Sequence, residues 1–261
     1  MFKLKQLLFL ILIYYIFNLN TTNSYALDTN AQYINGINNL LIIGINTSSN
    51  SNSKLYCCIV LTIDSVNKSL KITSICKDSL VDIPNIGYGN LSDSYINGKE
   101  YILIETMKNN FNLKIDNYVV INRVALIKII DSINGINFEG SHVNGQETVN
   151  LLYKYSKKDT LLQEEIQRKI LQEILYSFSK LDFIYYPRVI YHTFPYIKIN
   201  ITPAKMLNLG FTALSFENYT AKQLQFPLIE YSSYISLYNN SFLGWDRSIN
   251  LLELNQFIYN K

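Results

Sequence analysis

A lysine and an aspartate stand side by side at the end of a predicted strand, in the stretch LKITSICKDSLVDIP over residues 70–84. Up to Ile75, apolar and polar residues roughly alternate, which is typical of a half-buried strand. Lys77 and Asp78 then follow Cys76 directly. A cation and a carboxylate at this position could form a working phosphate site, the remnant of such a site, or an ordinary solvated strand end.

The cysteines and histidines show no metal-ligand spacing. His142 and His192 are the only histidines, and neither has a cysteine or a second histidine near it in the sequence. Cys57, Cys58 and Cys76 match neither a zinc ribbon nor a CxxC redox pair. They are interpreted as buried or half-buried strand thiols, and a link from Cys76 to one of the other two across neighbouring strands is the alternative.

The composition favours a folded domain with a large core. The chain has 261 residues, 48% of them apolar, and a mean hydropathy of +0.05. This composition excludes a disordered chain. The formal net charge of +3 is too small to indicate a nucleic-acid binder by electrostatics alone.

The first 26 residues have the pattern of an export signal. Two lysines precede an apolar run of 11 residues, Leu7–Phe17, and a small-x-small pattern ends at Ala26. As a helix this run spans roughly 16 Å, whereas bilayer hydrocarbon is about 30 Å thick. A cleaved signal peptide over 1–26 is therefore favoured over a permanent membrane anchor, and both place residues 30–261 outside the cytoplasm.

Strands and helices alternate along the rest of the chain, after a predicted linker over 27–38. Strands are predicted over 39–45, 55–64, 70–75 and 116–121, with two shorter ones inside 222–240. Helices are predicted from about Lys99 to 111, and over 123–133, 144–156, 159–180, 202–214 and 247–260, with Asn122 and Asp159 as N-caps. This interleaving indicates an α/β layered fold, and no second-domain boundary is visible.

The order of these segments resembles the LytR–CpsA–Psr family of cell-envelope proteins. The matching segments run from about residue 38 to the C-terminus, and among them are NNLLIIGIN, CIVLTIDSVNKSLKITSICKDSLVDIPNIGYG, DNYVVINRVALIKIIDSINGI, VNGQETVNLLYKY, IQRKILQEIL and LGWDRSINLLELNQFIY. The resemblance implies a three-layer αβα sandwich around a mixed, mostly central β-sheet, with 39–261 as a single domain.

The resemblance also implies a function. Members transfer glycopolymers from a polyprenyl-pyrophosphate carrier to peptidoglycan, with the lipid tail in an apolar tunnel. Arginines grip the pyrophosphate, and acidic residues hold Mg²⁺ or assist proton transfer. The implied partners are a polyprenyl-linked glycopolymer or peptidoglycan and the membrane surface. Nucleic acid is not expected as a partner, because the chain is predicted to be exported.

Several polar positions of the family motifs are replaced in this chain. Asn46 aligns with the acid of a Gly-x-Asp motif, and Tyr56 with the acid of an Arg-Ser-Asp-Thr motif in which Lys54 takes the arginine position. Lys77 and Asp78 keep the charges of a Ser-Ile-Pro-Arg-Asp motif. The loss of both upstream acids removes the obvious Mg²⁺ ligands, and no metal ligand is predicted.

Four family arginines are also absent. Tyr153 and Tyr155 align with an Arg-x-Arg pair, and Gln163 and Ile166 with the arginines of a Gly-Arg-x-x-Arg-Gln motif. A shift of the helical register could bring one guanidinium, that of Arg168, near the site. Four lost contacts of about 1.5–3 kcal/mol each would remove roughly 6–12 kcal/mol of phosphate binding.

The sequence therefore predicts a degenerate site on a family scaffold. Lys54 and Lys77 are the predicted phosphate-binding residues, and Lys77 and Asp78 the predicted catalytic remnant. The favoured role is lipid or glycan binding, or support of other envelope proteins, with lost or reduced catalysis. The alternative is an active glycopolymer–peptidoglycan phosphotransferase with a rebuilt site.

Overall fold

The computed structural model describes residues 36–46, 53–157, 159–216, 220–237 and 240–260. The predicted export segment over 1–26 lies outside the described residues, as does the linker up to residue 35. Within the described ranges, no helix is both long and apolar enough to cross a bilayer.

A mixed sheet forms the centre of the fold. Its strands within the described ranges are β1 (Ile37–Asn46), β2 (Lys54–Asp64), β3 (Ser69–Ile75), β6 (Asn117–Ile121), β9 (Ile197–Ile199) and β10 (Lys222–Phe226). Their order across the sheet is β10-β3-β2-β1-β6-β9. The β1–β6 and β3–β10 pairs are parallel and the other pairs antiparallel, which confirms the predicted mixed central sheet.

Helices and small hairpins surround this sheet. The helices are α1 (Leu91–Phe111), α2 (Arg123–Ser132), α3 (Gly145–Ser156), α4 (Thr160–Lys180), α5 (Tyr186–Thr193), α6 (Pro203–Leu214) and α7 (Arg247–Tyr259). The hairpins pair β4 (Leu80–Ile83) with β5 (Gly87–Asn90), β7 (Ile136–Phe138) with β8 (Ser141–Val143), and β11 (Ser232–Leu237) with β12 (Asn240–Trp245). Short 3₁₀ turns lie at Phe183–Tyr185, Phe194–Tyr196 and Ile229–Tyr231.

Apolar residues on both faces of the sheet produce the three layers. Leu41 and Ile43 of β1 pack in a core with α1 and α7, whereas Leu40 and Ile42 pack on the opposite face with α4 and α6. Successive side chains of a strand point to opposite faces, so a continuous apolar run requires cover on both sides. The predicted αβα sandwich is therefore confirmed.

A third apolar cluster joins helices α2 to α5 beside the sheet. Ile130 of α2, Leu152 of α3, Ile166 and Ile170 of α4, and Val189 of α5 are all buried in it. Helix α4 thus packs against the sheet and against three other helices at once. Helix α4 therefore lies between the sheet and the outer helices.

The predicted N-caps are confirmed. The side-chain oxygen of Asn122 accepts a hydrogen bond from the Ala125 amide at 2.8 Å. That of Asp159 accepts from the Leu161 amide at 2.9 Å. A side-chain acceptor of this kind satisfies an amide that the first helical turn leaves unpaired, so it fixes where α2 and α4 begin.

A buried ion pair fastens the last helix to the sheet. Lys71 and Asp64 are 1% and 0% exposed, and their Nζ and Oδ2 atoms are 3.3 Å apart. The same ammonium donates to the Ile258 carbonyl at 3.0 Å and to Oδ1 of Asn260 at 3.1 Å. The β2–β3 turn and the end of α7 therefore share one satisfied polar network.

Helix α1 begins at Leu91, well before the start predicted near Lys99, and it is kinked. Gly98 has φ −161° and ψ 21°, and Lys99 has φ +53° and ψ −140°, so neither residue is helical. The kink separates a short first segment, which was not predicted from the sequence, from the segment predicted from about Lys99. A lysine with this positive φ is strained, at a cost of about 1–3 kcal/mol.

We expect Lys99→Gly to stabilise the fold. Glycine adopts positive φ without a side-chain clash, so the gain should be about 1 kcal/mol after the added entropy of the unfolded chain. Thermal unfolding should show a rise in Tm of about 2–4 °C. Lys68→Gly, at an exposed position in the β2–β3 turn with φ +48°, is the matched variant at a second positive φ, and it should also raise Tm. A lower Tm for Lys99→Gly would show that the kink is not strained.

Candidate functional site

An apolar cavity of about 520 Å³ lies between the sheet and helices α2, α3 and α4. Most of its wall is aliphatic, from Ile42, Ile59, Ile121, Leu126, Val149, Ile170, Leu171 and Ile174. An aliphatic wall suits hydrocarbon better than charged groups, because burial of apolar surface favours occupation by an apolar ligand.

Polar side chains also line this cavity, and several stand at the positions that the sequence predicts to be replaced family positions. Asn46, Tyr56 and Tyr153 are among them, together with Gln167 of α4. The exposed Arg123, the first residue of α2, lines the cavity too, and it is the one arginine among the described lining residues. Asn46, Tyr56 and Tyr153 thus line one cavity, although more than 100 positions separate the first from the last in the sequence.

A β-bulge turns two neighbouring residues of β2 toward the same cavity. Gly44 pairs with Cys57 and Ile45 with Leu55, so Tyr56 is the extra, unpaired residue. Both Tyr56 and Cys57 line the cavity, although neighbours in a regular strand point to opposite faces. A Cβ on Gly44 would lie 2.7 Å from the Cβ of Cys57, so this close approach requires glycine.

Two hydrogen bonds then hold Tyr56 between helices. Its hydroxyl donates to the Leu152 carbonyl of α3 at 3.0 Å. Its own carbonyl accepts from Nε2 of Gln167, on α4, at 3.4 Å. The tyrosine at the family's acidic position is therefore a structural link between β2, α3 and α4, and it presents a neutral group to the cavity.

A buried polar cluster, Ser74 with Glu164 and Arg168, lies where α4 crosses β3. The Ser74 hydroxyl donates to Oε2 of Glu164 at 3.4 Å and accepts a short hydrogen bond from Nη1 of Arg168. All three side chains are buried. Oε1 of Glu164 and Nε of Arg168 have no hydrogen-bond partner among the described residues.

Burial decides the ionisation of this cluster. Desolvation raises the pKa of Glu164 to about 7, although a hydrogen bond with Cys76 and the charges of Arg168 and Lys77 oppose the shift.

Desolvation and the charge of Glu164 raise the pKa of Cys57 to about 12. The three cysteines are free, so the alternative of a Cys76 link is not realised. The Cys57 thiol is neutral near pH 7 and unsuited to nucleophilic attack.

The predicted Lys77–Asp78 pair lies outside the lining of the apolar cavity. Nζ of Lys77 is 2.8 Å from Oδ2 of Asp78, and the two side chains are 26% and 24% exposed. Oδ2 of Asp78 also accepts from the Thr160 hydroxyl at 3.4 Å, and the Asp78 carbonyl accepts from the Leu243 amide at 2.7 Å. The lysine charge is therefore already paired, and β12 holds the backbone of this pair in place.

The other predicted residues are distributed over the fold. Lys54 is exposed at the first position of β2. Tyr155 and Ile166 pack in the cluster of helices α2 to α5, and Gln163 is buried on α4. Arg168 points inward to Ser74 and does not line the cavity. Glu164 and Arg168 are four residues apart on a helix, and this spacing would have predicted two neighbouring side chains on one helix face.

The residues around the cavity do not fit the Mg²⁺ ion that the family resemblance implies. Mg²⁺ prefers carboxylate oxygens, and asparagine and tyrosine occupy the two acidic positions, Asn46 and Tyr56. Among the described residues, no group of three His, Cys, Asp or Glu side chains could hold a metal ion.

The LytR_cpsA_psr family model matches residues 16–157, more than half of the chain. The chain belongs to this family. The match includes the bulge, the Lys77–Asp78 pair and helix α3, and it ends before α4.

Individual relatives are distant. The polyisoprenyl-teichoic acid–peptidoglycan teichoic acid transferase TagU of Enterococcus faecalis is 27% identical over 112 residues, which is 41% of this chain and 37% of TagU. The match therefore spans less than half of that relative. B. subtilis TagV superposes with a TM-score of 0.71 at 19% identity, over 86% of this chain and 96% of TagV. TagT bound to LIIa-WTA gives 0.73 at 15% identity, over 92% and 96%. These two structures show that the fold is shared.

We expect Glu164→Gln to remove a pH dependence of stability. A carboxyl whose pKa rises from 4.5 to about 7 on folding binds more protons when folded, so stability falls as pH rises through this window. The loss is at most about 3 kcal/mol. Urea unfolding at pH 5, 6, 7 and 8 should show this slope in the wild type and a flatter one in Glu164→Gln.

The matched control is Glu165→Gln, the next residue along α4. Its carboxylate is 2.6 Å from Nζ of Lys169 at the surface, and this hydrogen bond lowers its pKa. The control should keep the wild-type slope between pH 5 and 8. Equal slopes for all three proteins would show that Glu164 ionises normally.

Proposed function

We propose that this protein is an extracytoplasmic cell-envelope protein that binds the prenyl tail of a polyprenyl-linked glycopolymer, with lost or reduced transfer activity. The observation that carries the proposal is the apolar cavity of about 520 Å³, with Asn46, Tyr56 and Tyr153 in its lining. A prenyl chain gains about 0.8 kcal/mol for each CH₂ that it buries. Binding through the tail therefore does not need the missing arginines.

The chemistry of the lining supports binding more than transfer. A lipid pyrophosphate carries negative charge that guanidinium forks bind best. Among the described lining residues, Arg123 is the one such group, and it is exposed at the start of α2. Asn46 and Tyr153 add neutral donors, which contribute roughly half as much per hydrogen bond as charged ones.

The relatives support the class of partner and the location. TagU is named for transfer of teichoic acid between a polyisoprenyl carrier and peptidoglycan, and TagT was solved with LIIa-WTA bound. We infer a polyprenyl-linked glycopolymer or peptidoglycan as the partner, at the membrane surface. The export pattern over residues 1–26 supports this location, by a cleaved signal or an anchor, and it argues against nucleic acid.

A second candidate is an active phosphotransferase with a rebuilt site. The observation that favours it is the buried Glu164–Arg168 pair, with one unpartnered oxygen and one unpartnered nitrogen. A carboxyl with a pKa of about 7 is suited to take a proton from an attacking sugar hydroxyl at neutral pH. Lys77 lies close enough to influence this carboxyl and would supply a point charge for a phosphate.

We expect Val149→Trp to block lipid binding. Val149 lines the cavity from α3, and an indole there would exclude at least two CH₂ groups of a prenyl chain. The Kd for a polyprenyl phosphate, measured by calorimetry in detergent, should rise at least tenfold. The control Val124→Trp adds the same ring at an exposed position on α2 and should leave Kd unchanged. Equal affinities for the two variants would overturn the proposed site.

The same preparations distinguish the two candidates. With a polyprenyl-pyrophosphate-linked glycan, the full-length protein should show no phosphate release and no transfer to peptidoglycan, with or without Mg²⁺ or Mn²⁺. Turnover that disappears in both Lys77→Ala and Glu164→Gln would instead establish the rebuilt phosphotransferase.

A further inference from the structure

A second cavity, of about 260 Å³, lies on the opposite face of the sheet, between α1 and the β6–β9 edge. It shares Ile45 and Asn122 with the apolar cavity. These two residues stand at the carboxyl ends of β1 and β6, which are parallel neighbours. The two cavities therefore meet at one end of the sheet, although they lie on different faces.

The second cavity has charged side chains in its lining, among them a buried carboxylate. Glu100 is 2% exposed. Its oxygens accept from Nζ of Lys198 at 2.8 Å and from the Tyr95 hydroxyl at 3.3 Å. An ammonium group has three donors, and one of them serves Glu100, so the exposed Lys198 can also bind a ligand.

A second lysine and an aromatic wall complete the cavity. Nζ of Lys99 lies 5.3 Å from the centre of the Tyr95 ring. Tyr196, 43% exposed, also lines the cavity. Lys99, Lys198 and Glu100 give a net charge of +1, which suits an anion. The carboxylate can accept hydrogen bonds from sugar hydroxyls, and the two ammonium groups can bind an anionic substituent. The tyrosine ring can stack on a pyranose face.

The strained backbone lies at this cavity. Lys99 lines it with φ +53° and ψ −140°, a conformation that glycine adopts at less cost. Such outliers persist where the surroundings impose them, and they concentrate at ligand sites. A lysine therefore occupies a position where glycine would give a more stable fold. The ammonium group of this lysine is a cation that faces the cavity.

We propose that this second cavity binds a sugar unit that carries one anionic group, next to the lipid cavity. The inference rests on the proposed function, because a sugar here would belong either to the carried glycopolymer or to the peptidoglycan acceptor. A sugar phosphate of the polymer and the carboxylate of a muramoyl residue present the same chemistry: a pyranose face, hydroxyl groups and one negative charge.

Three soluble probes test this inference on the full-length protein: a hexosamine 1-phosphate, N-acetylmuramic acid and neutral N-acetylglucosamine. Calorimetry or NMR titration should show binding of at least one anionic probe at least tenfold tighter than the neutral sugar. Binding of the phosphate alone assigns the cavity to the polymer, and binding of the muramic acid alone assigns it to the acceptor. Binding of both shows that charge is the recognised feature.

Lys99→Gly should weaken the anionic probe at least tenfold, although this variant is expected to fold more stably than the wild type. Lys99→Arg should restore most of the affinity. Lys68→Gly should change nothing, because it is the same substitution at a positive φ on a turn that does not line the cavity. Equal affinities for the wild type and Lys99→Gly, or no preference for an anionic probe, would overturn the inference.

Polyprenyl phosphate binding, measured beside the sugar titrations, separates this inference from the proposed function. Lys99→Gly should leave lipid affinity unchanged, and Val149→Trp should leave sugar affinity unchanged. Sugar binding without lipid binding would refute the lipid cavity and keep the sugar site. Lipid binding without sugar binding would refute the sugar site alone.

Discussion

The packing of helix α4 is the constraint on which the candidate site depends. One side of this helix places Ile166 and Ile170 among helices α2, α3 and α5, and another places Leu171 and Leu175 on the sheet. A helix buried on both sides cannot rotate without exposing apolar surface, at about 25 cal/mol for each Å². Its polar residues are therefore fixed as well: Gln167 points at the cavity, and Glu164 and Arg168 point at β3.

Several cations of this fold are already engaged with other groups of the protein. Lys77 pairs with Asp78, Arg168 shares Ser74 with Glu164, and Lys71 is buried with Asp64. A cation that is already paired gains less from a phosphate than an open one, because the existing contact must be exchanged. The chain thus has the family fold and an apolar cavity, whereas Lys77 and Arg168 are committed to contacts within the protein.

The layers of the fold could be predicted from the sequence, because local chemistry determines them. Continuous apolar runs indicated β1 and β2, and side-chain acceptors at Asn122 and Asp159 indicated the starts of α2 and α4. The site could be predicted only in part, because its geometry depends on non-local pairing. No local sequence pattern predicts the β-bulge at Tyr56, because a bulge is defined by the pairing of β2 with β1. The kink at Lys99 was hidden for a similar reason, because lysine gives no sign of a positive φ.

The position of Ile45 and Asn122 between the two cavities has a consequence for the shape of any molecule that fills both. Its hydrocarbon part and its carbohydrate part would lie on opposite sides of a single sheet, joined around the ends of β1 and β6. The joining group would have to be short and able to bend sharply, as a chain of phosphoester bonds can. With a stiff or bulky joining group, either the hydrocarbon or the carbohydrate part of the ligand would stay outside its cavity. The thickness of the β-sheet would therefore limit which ligands can fill both cavities.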